Sequence, residues 1–291
     1  MPIQTSTTAL LENASREMIA QAIYSTEHNA PCVELVEKFT LKQGDDTGVF
    51  PKFGRVSMAS LTEGQDIVDS EDLGMTSVSV QASEVGAKVI LTDKLLRRNV
   101  AANWRSVGRQ LGDAKARRMD EDVIALFTGL NGGTSYGGAG NVISLVAITC
   151  AIGRYKGERK GNNPRCILHP YQMLTLAQQL STVGAATTYR PLPRGYSEEV
   201  MRDFWSGIIV NRIPFFETGN ITIDASDDAI GAILEKEAIG VLWEQGWRQE
   251  KERDASLRAW ELVMVADYAA FEHDDSRGAP LTYDATTPVS S

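Results

Sequence analysis

A chain of 291 residues, 43% hydrophobic and 23% charged, is long enough to bury a sizeable core, and its composition excludes disorder throughout. Its formal net charge of −9 excludes a protein that grips nucleic acid over its whole surface, since that work needs the opposite sign. No window approaches the roughly 20 apolar residues that a membrane-spanning helix needs, so no membrane partner is expected.

The opening MPIQTSTTALLENASREM lacks the basic flank and apolar run of a signal peptide, and folding in the cytoplasm is expected. Cys32, Cys150 and Cys166 are odd in number and form no C-x-x-C pair, which fits reduced thiols. Over 8–24, Leu11, Ala14, Met18 and Ala22 fall near one face and predict a helix. Cys32–Leu41 reads as a strand and is followed by a Gly/Asp turn and VFPKFGR. This opening has no core of its own and reads as an arm that lies on something else.

Residues 56–87 carry six acids and no lysine or arginine. In TSVSVQA, Val78, Val80 and Ala82 alternate; after Ser83 the apolar parity shifts to Val85, Ala87, Val89 and Leu91. That one-residue shift predicts a bulge, with Gly86 available to make it. The stretch reads as a long two-stranded excursion from the body. Next comes a helix over Trp104–Thr128, on the order of 38 Å long at 1.5 Å per residue, with Trp104, Val107, Leu111, Ala114, Met119, Val123, Leu126 and Phe127 near helical spacing.

NGGTSYGGAGN marks a boundary with the freedom of a hinge. Beyond it the spacing predicts a helix near 144–155, a short strand CILHP, a helix YQMLTLAQQL and a helix capped by Ser197. Buried strands follow in IIVNRIPFFE and AIGAILE, then a long covered strand in SLRAWELVMVADYAAFEH. The tail from Asp274 to Ser291, rich in Gly, Pro, Ser and Thr, reads as loosely ordered.

Catalytic spacing is missing: there is no G-x-S-x-G, H-E-x-x-H or G-x-x-x-x-G-K-[ST]. GGAGNVI lacks the third glycine of a phosphate loop. His28, His169 and His273 are far apart; His169, just before Pro170, suits a helix start, and Asp274 and Asp275 suit a solvated turn. The expectation is therefore no enzyme, with no catalytic, metal-binding or cofactor-binding residues. The useful pattern is one of charge. From Lys94 to Arg118 there are eight Lys/Arg, and Asp113 is the sole acid. Such a run is most often a solvated face. The sharper reading pairs Glu63, Asp66, Asp69, Glu71 and Asp72 of one copy with Arg97, Arg98, Arg105, Arg109, Arg117 and Arg118 of another.

The order of elements is itself informative. An arm, the loop TSVSVQASEVGAKVILTDKLLRRN and a long helix are followed by CILHPYQMLTLAQQL, AIGAILEKEAIGVLWE and the strand pair WRQEKERDASLRAWELVMVADYAAFEH. From about residue 8 to about 275 this resembles the major capsid proteins of tailed bacteriophages with the Hong Kong 97-type fold, of the α+β class. The resemblance implies an N-terminal arm over 1–49, an E-loop over 50–84, a P-domain over 85–141 with its spine helix at about 104–130, and an A-domain over 142–240. It further implies P-domain return strands over 241–275 and a tail over 276–291. It also implies a virion shell protein that assembles in the host cytoplasm into hexamers and pentamers around double-stranded DNA, with a portal protein. With about fifty residues before the loop, a separate scaffolding protein is expected. Some members join an E-loop lysine to a neighbour's asparagine; residues 56–87 contain no lysine, so no such cross-link is expected. An encapsulin-like nanocompartment shell and a soluble cytoplasmic enzyme stay open as alternatives.

Overall fold

The computed structural model of the chain describes residues 31–42, 44–52, 54, 58, 60, 63, 74–98, 100–158, 161–182, 209–210 and 213–288. The helices expected over 8–24 and after Ser197 lie outside the described residues, as do Asp66, Asp69, Glu71 and Asp72.

Two sheets organise the described chain. The first has the order β1-β9-β10-β4, built from β1 (Glu37–Thr40), β4 (Ser83–Thr92), β9 (Ile239–Asp254) and β10 (Ala259–Glu272). β9 and β10 form a long antiparallel hairpin, its turn closed by the Asp254 carboxylate, which accepts from the main-chain N–H groups of Ser256 and Leu257. The second has the order β11-β8-β5-β7-β6, from β5 (Arg165–Leu168), β6 (Ile209–Val210), β7 (Ile213–Glu217), β8 (Asp228–Leu234) and β11 (Gly278–Asp284). A separate antiparallel pair joins β2 (Thr47–Lys52) to β3 (Thr76–Gln81).

Helices cover both faces of the five-stranded sheet. On one lie α4 (Leu145–Gly157) and α5 (Pro170–Thr182). Ser144 caps α4 by accepting from the Ala147 N–H, and Ile148, Ala151, Ile152 and Tyr155 then recur at helical spacing on its buried side. His169 starts α5 as its sequence position suggests: its Nδ1 accepts from the Tyr171 N–H while its own N–H donates to Gln172 Oε1. Cys166 and Leu168 of β5 face this layer, whereas Ile167 faces the opposite core. That core joins α1 (Cys32–Leu35), the end of α3 (Val100–Ile124), Phe127 and Leu130 to Ile239, Val241, Ala266 and Tyr268 of the first sheet. The short α2 (Asp93–Arg98) and the first half of α3 pack through Leu95, Leu96 and Leu111 on Leu91 and Leu262. Helices and largely antiparallel sheets make an α+β fold.

Several expectations change. Cys32–Leu35 is a helical turn and not a strand, and Cys32, Val33 and Leu35 are buried in the main core, so this part of the expected arm rests on its own chain. The long helix begins at Val100 and stops at Ile124, with turns continuing to Leu130. Asn131, Gly132 and Gly133 then take positive φ, which asparagine and glycine accept most readily. The parity shift falls at Ala82, where one strand changes partners: β3 pairs with β2, and β4 with β10. Gly86 instead lies inside the β4–β10 ladder opposite Val265.

The glycine-rich segment is fastened rather than hinged. Tyr136 N–H donates to Pro280 O, Gly140 N–H donates to the buried Asp228 carboxylate, and a Cβ at residue 137 would lie 2.2 Å from Thr282 O. The tail is likewise ordered through residue 288. β11 is an edge strand of the second sheet, and Ala279, Leu281 and Tyr283 of it are buried. Pro280 fits there because an edge strand leaves one row of N–H groups unpaired. Asp274 is not a solvated acid either; it is held in ion pairs with Lys52 and Arg277.

Candidate functional site

An alternating burial pattern gives the β2–β3 hairpin two unlike faces. Phe50, Val78 and Val80 point inward, and Phe50 stacks on Phe271 and lies tilted against Phe39, at ring-centroid distances of 4.7 and 4.6 Å. The outward face carries Thr47, Val49, Pro51, Ser77 and Ser79. Val49 is 59% exposed, and Met75, just before β3, is 66% exposed. A two-stranded ribbon is marginal by itself and needs apolar cover on at least one side. Here the body covers the inward face and leaves aliphatic side chains open on the other.

At the far end of the ladder Lys52, opposite Thr76, returns to the body. Its Nζ lies 2.6 Å from Asp274 and 3.1 Å from Asp275. Partial burial by itself would lower the ammonium pKa, but the hydrogen bonds and charges of the two aspartates outweigh it and hold the value above the ordinary range. Asp274 is the mirror case: burial pushes it up, and the hydrogen bonds from Lys52 and Ser276 bring it below its usual value.

The arginines expected to meet the acidic excursion are partly engaged within their own chain. Arg118 lies 3.0 Å from Asp122, whose charge holds the guanidinium pKa above its ordinary value, and Asp122 also accepts from Tyr268 Oη at 2.7 Å. Arg117 is 3.7 Å from Glu121, and Arg97 Nε donates to Asp93 O. Arg97 and Arg109 have exposed side chains; those of Arg98 and Arg105 lie outside the described set. Glu63 is exposed, and the other four acids are not described.

Sequence reasoning missed Asp120. Fully buried on α3, its carboxylate accepts from Cys32 N–H at 2.8 Å, Thr218 Oγ1 at 2.9 Å and Asn220 Nδ2 at 3.0 Å. It ties α1, α3 and the residues just after β7 together. The signal available was slight: Asp120 is the first of three successive acids, with Glu121 and Asp122, between Met119 and Val123 on the apolar side of the helix. His273 lies against Phe39, edge to face, with Nδ1 3.6 Å from Glu37. Among the described residues no three His, Cys, Asp or Glu side chains converge as metal ligands, and no helix is long and apolar enough to cross a membrane.

The phage capsid protein family matches residues 76–279, well over half of the chain, from the hairpin's return strand to the start of β11. This chain belongs to the phage capsid protein family. Among solved structures, the head of Helicobacter pylori bacteriophage KHP40 is similar with a TM-score of 0.72 and 10% identity, covering 98% of this chain and 100% of that one. The mature capsid of bacteriophage PhiM1 gives 0.65 at 13% identity over 92% and 91%. The SrpI encapsulin complex from Synechococcus elongatus gives 0.64 at 12% identity over 99% of both chains. Among curated proteins none matches. Likeness at these identities carries the fold, which is the Hong Kong 97-like capsid fold. Encapsulin and phage shells share that fold, so the family match is what makes this chain a major capsid protein. As a capsid protein it belongs to the virion shell and self-assembles.

Proposed function

We propose that the chain assembles in the host cytoplasm into hexamers and pentamers that close an icosahedral shell around a double-stranded DNA genome, with a separate scaffolding protein and a portal protein as partners. The observation that carries this reading is the hairpin whose inward face is covered by its own body while Val49 and Met75 lie open. In a self-assembling family, a neighbouring copy is the natural cover for such a face. On this reading 1–49 is the arm and 50–84 the E-loop. Residues 85–141 and 241–275 form the P-domain, and 142–240 the A-domain, to which β11 is added by its pairing with β8.

Charge then orients the contact. Glu63, Asp66, Asp69, Glu71 and Asp72 of one copy meet the arginine-rich α2–α3 surface of the next. Complementary charge of this kind sets register and association rate more than affinity. Arg97 and Arg109 are the first candidates, because both side chains are exposed on this surface. Reversing Asp66, Asp69 and Asp72 to lysine should abolish shells, and adding Arg97→Glu and Arg109→Glu should restore them; shells from the acid-reversed variant alone would overturn the contact. No lysine lies within 56–87, and Lys52 is held by two aspartates, so mature shells should run as single chains on a denaturing gel. A ladder of covalent oligomers would overturn that.

The likeness to an encapsulin supports one rival, a nanocompartment shell. Particles purified from their natural source decide between the two: packaged DNA supports the capsid, a captured enzyme the nanocompartment.

A further inference from the structure

Two unlike contacts hold the β2–β3 hairpin to the body, and they sit at different heights along it. Phe50 packs its root into the cluster with Phe39 and Phe271. Two residues further out, Lys52 occupies the last rung of the ladder and reaches Asp274 and Asp275, in the turn after β10. Asp274 in turn meets Arg277 at 3.3 Å, and Arg277 lies 3.1 Å from Glu235 and 2.6 Å from Glu237. These acids follow β8, so a continuous run of ion pairs leads from the outer rung of the hairpin to the five-stranded sheet.

We propose that Lys52 is a latch: it fixes the angle at which the hairpin leaves the body, and its release frees the outer rungs without disturbing either core. The aromatic root is apolar and insensitive to salt. The latch is ionic and partly exposed, the kind of contact that salt screens and a neighbour's charges can compete for. Two carboxylates for one ammonium give it redundancy, since losing Asp275 still leaves the shorter bond to Asp274. Lys52 is thus a positioning residue for the hairpin. Its bearing on assembly rests on the reading of the hairpin as an inter-subunit element, whereas the latch itself does not.

Hydrogen exchange of the full-length chain, kept unassembled, tests it. Lys52→Ala should speed exchange at the outer rungs, within 50–52 and 76–78, roughly fivefold, the upper range for a partly exposed ion pair, with 165–168 and 228–234 unchanged. Lys52→Arg should retain wild-type protection, and 1 M salt should bring the wild type towards Lys52→Ala. Unchanged hairpin exchange in Lys52→Ala, or an equal rise in hairpin and body, overturns the latch. Electron microscopy of the same variants separates the two readings. A freed hairpin with undiminished shell yield leaves the latch standing and removes the hairpin from assembly.

Discussion

The main-chain N–H of Cys32 donates to Asp120 Oδ1 across 2.8 Å, joining two residues 88 apart in the chain at the centre of the main core. Thr218 and Asn220 donate to the other oxygen, so one carboxylate satisfies three donors. Asp120→Ala leaves all three without an acceptor in an apolar site. The expected cost is about 3 kcal/mol of stability, read as a lowered midpoint in urea unfolding of the unassembled chain. A loss below about 1 kcal/mol would show that the core closes over the gap.

The three thiols differ in reactivity. Burial, with the Asp120 charge behind it, pushes the Cys32 thiol far above the usual range, and burial alone does the same to Cys166; Cys150 is exposed on α4. Since the thiolate is the nucleophile, a thiol reagent should label one site per native chain and three in denaturant. Cys150→Ser should abolish native labelling. Rapid modification of Cys32 or Cys166 would mean that the packing around them opens.

Much of this fold is legible in the order of residues. Helical spacing marks α4 and α5, and apolar runs mark β7, β8 and β10, because each is buried within a single chain, β8 on both faces. The misses share a cause. Gly278–Asp284 alternates Ala279, Leu281 and Tyr283 inward, yet Gly, Pro and Thr made the segment read as tail; only the gap beside β8 shows that it is a strand. Cys32–Leu35 carries strand-like residues but meets α3 as a helical turn, where tertiary burial outweighs propensity. Asp120 and the Lys52–Asp274 pair are contacts across 88 and 222 residues, and no local pattern announces them. The acidic and basic runs are plain in the sequence, but their pairing between copies is the proposal made above; within the chain Arg117 and Arg118 meet Glu121 and Asp122.

β11 closes the layer under α4 and α5, which makes it part of the core. Leu281→Ala should cost about 2–5 kcal/mol, the range for deleting a buried leucine side chain. Ending the chain at Arg277 should leave no soluble folded protein. A soluble truncated chain with native circular dichroism would show that the second sheet is complete without it.

The latch should be indifferent to mild acid. Asp274 titrates below its ordinary 3.8 in the folded chain, so its contribution is full above that value and is lost as pH falls through the lower folded one. Lys52 titrates above its ordinary 10.5, so its contribution is full below that value and is lost as pH rises through the higher folded one. Between about pH 4 and pH 10 both are charged, and hairpin exchange, corrected for intrinsic rates, should stay flat. A transition near neutrality would contradict this and place control of the hairpin in another group.

The most direct test is electron microscopy of the purified full-length chain, expressed alone and with its candidate scaffolding protein, on every peak from size-exclusion chromatography. The account predicts closed shells, or capsomers with fivefold and sixfold symmetry, in which the β2–β3 hairpin of each subunit lies over its neighbour. A compact monomer that stays monomeric under both conditions would contradict it.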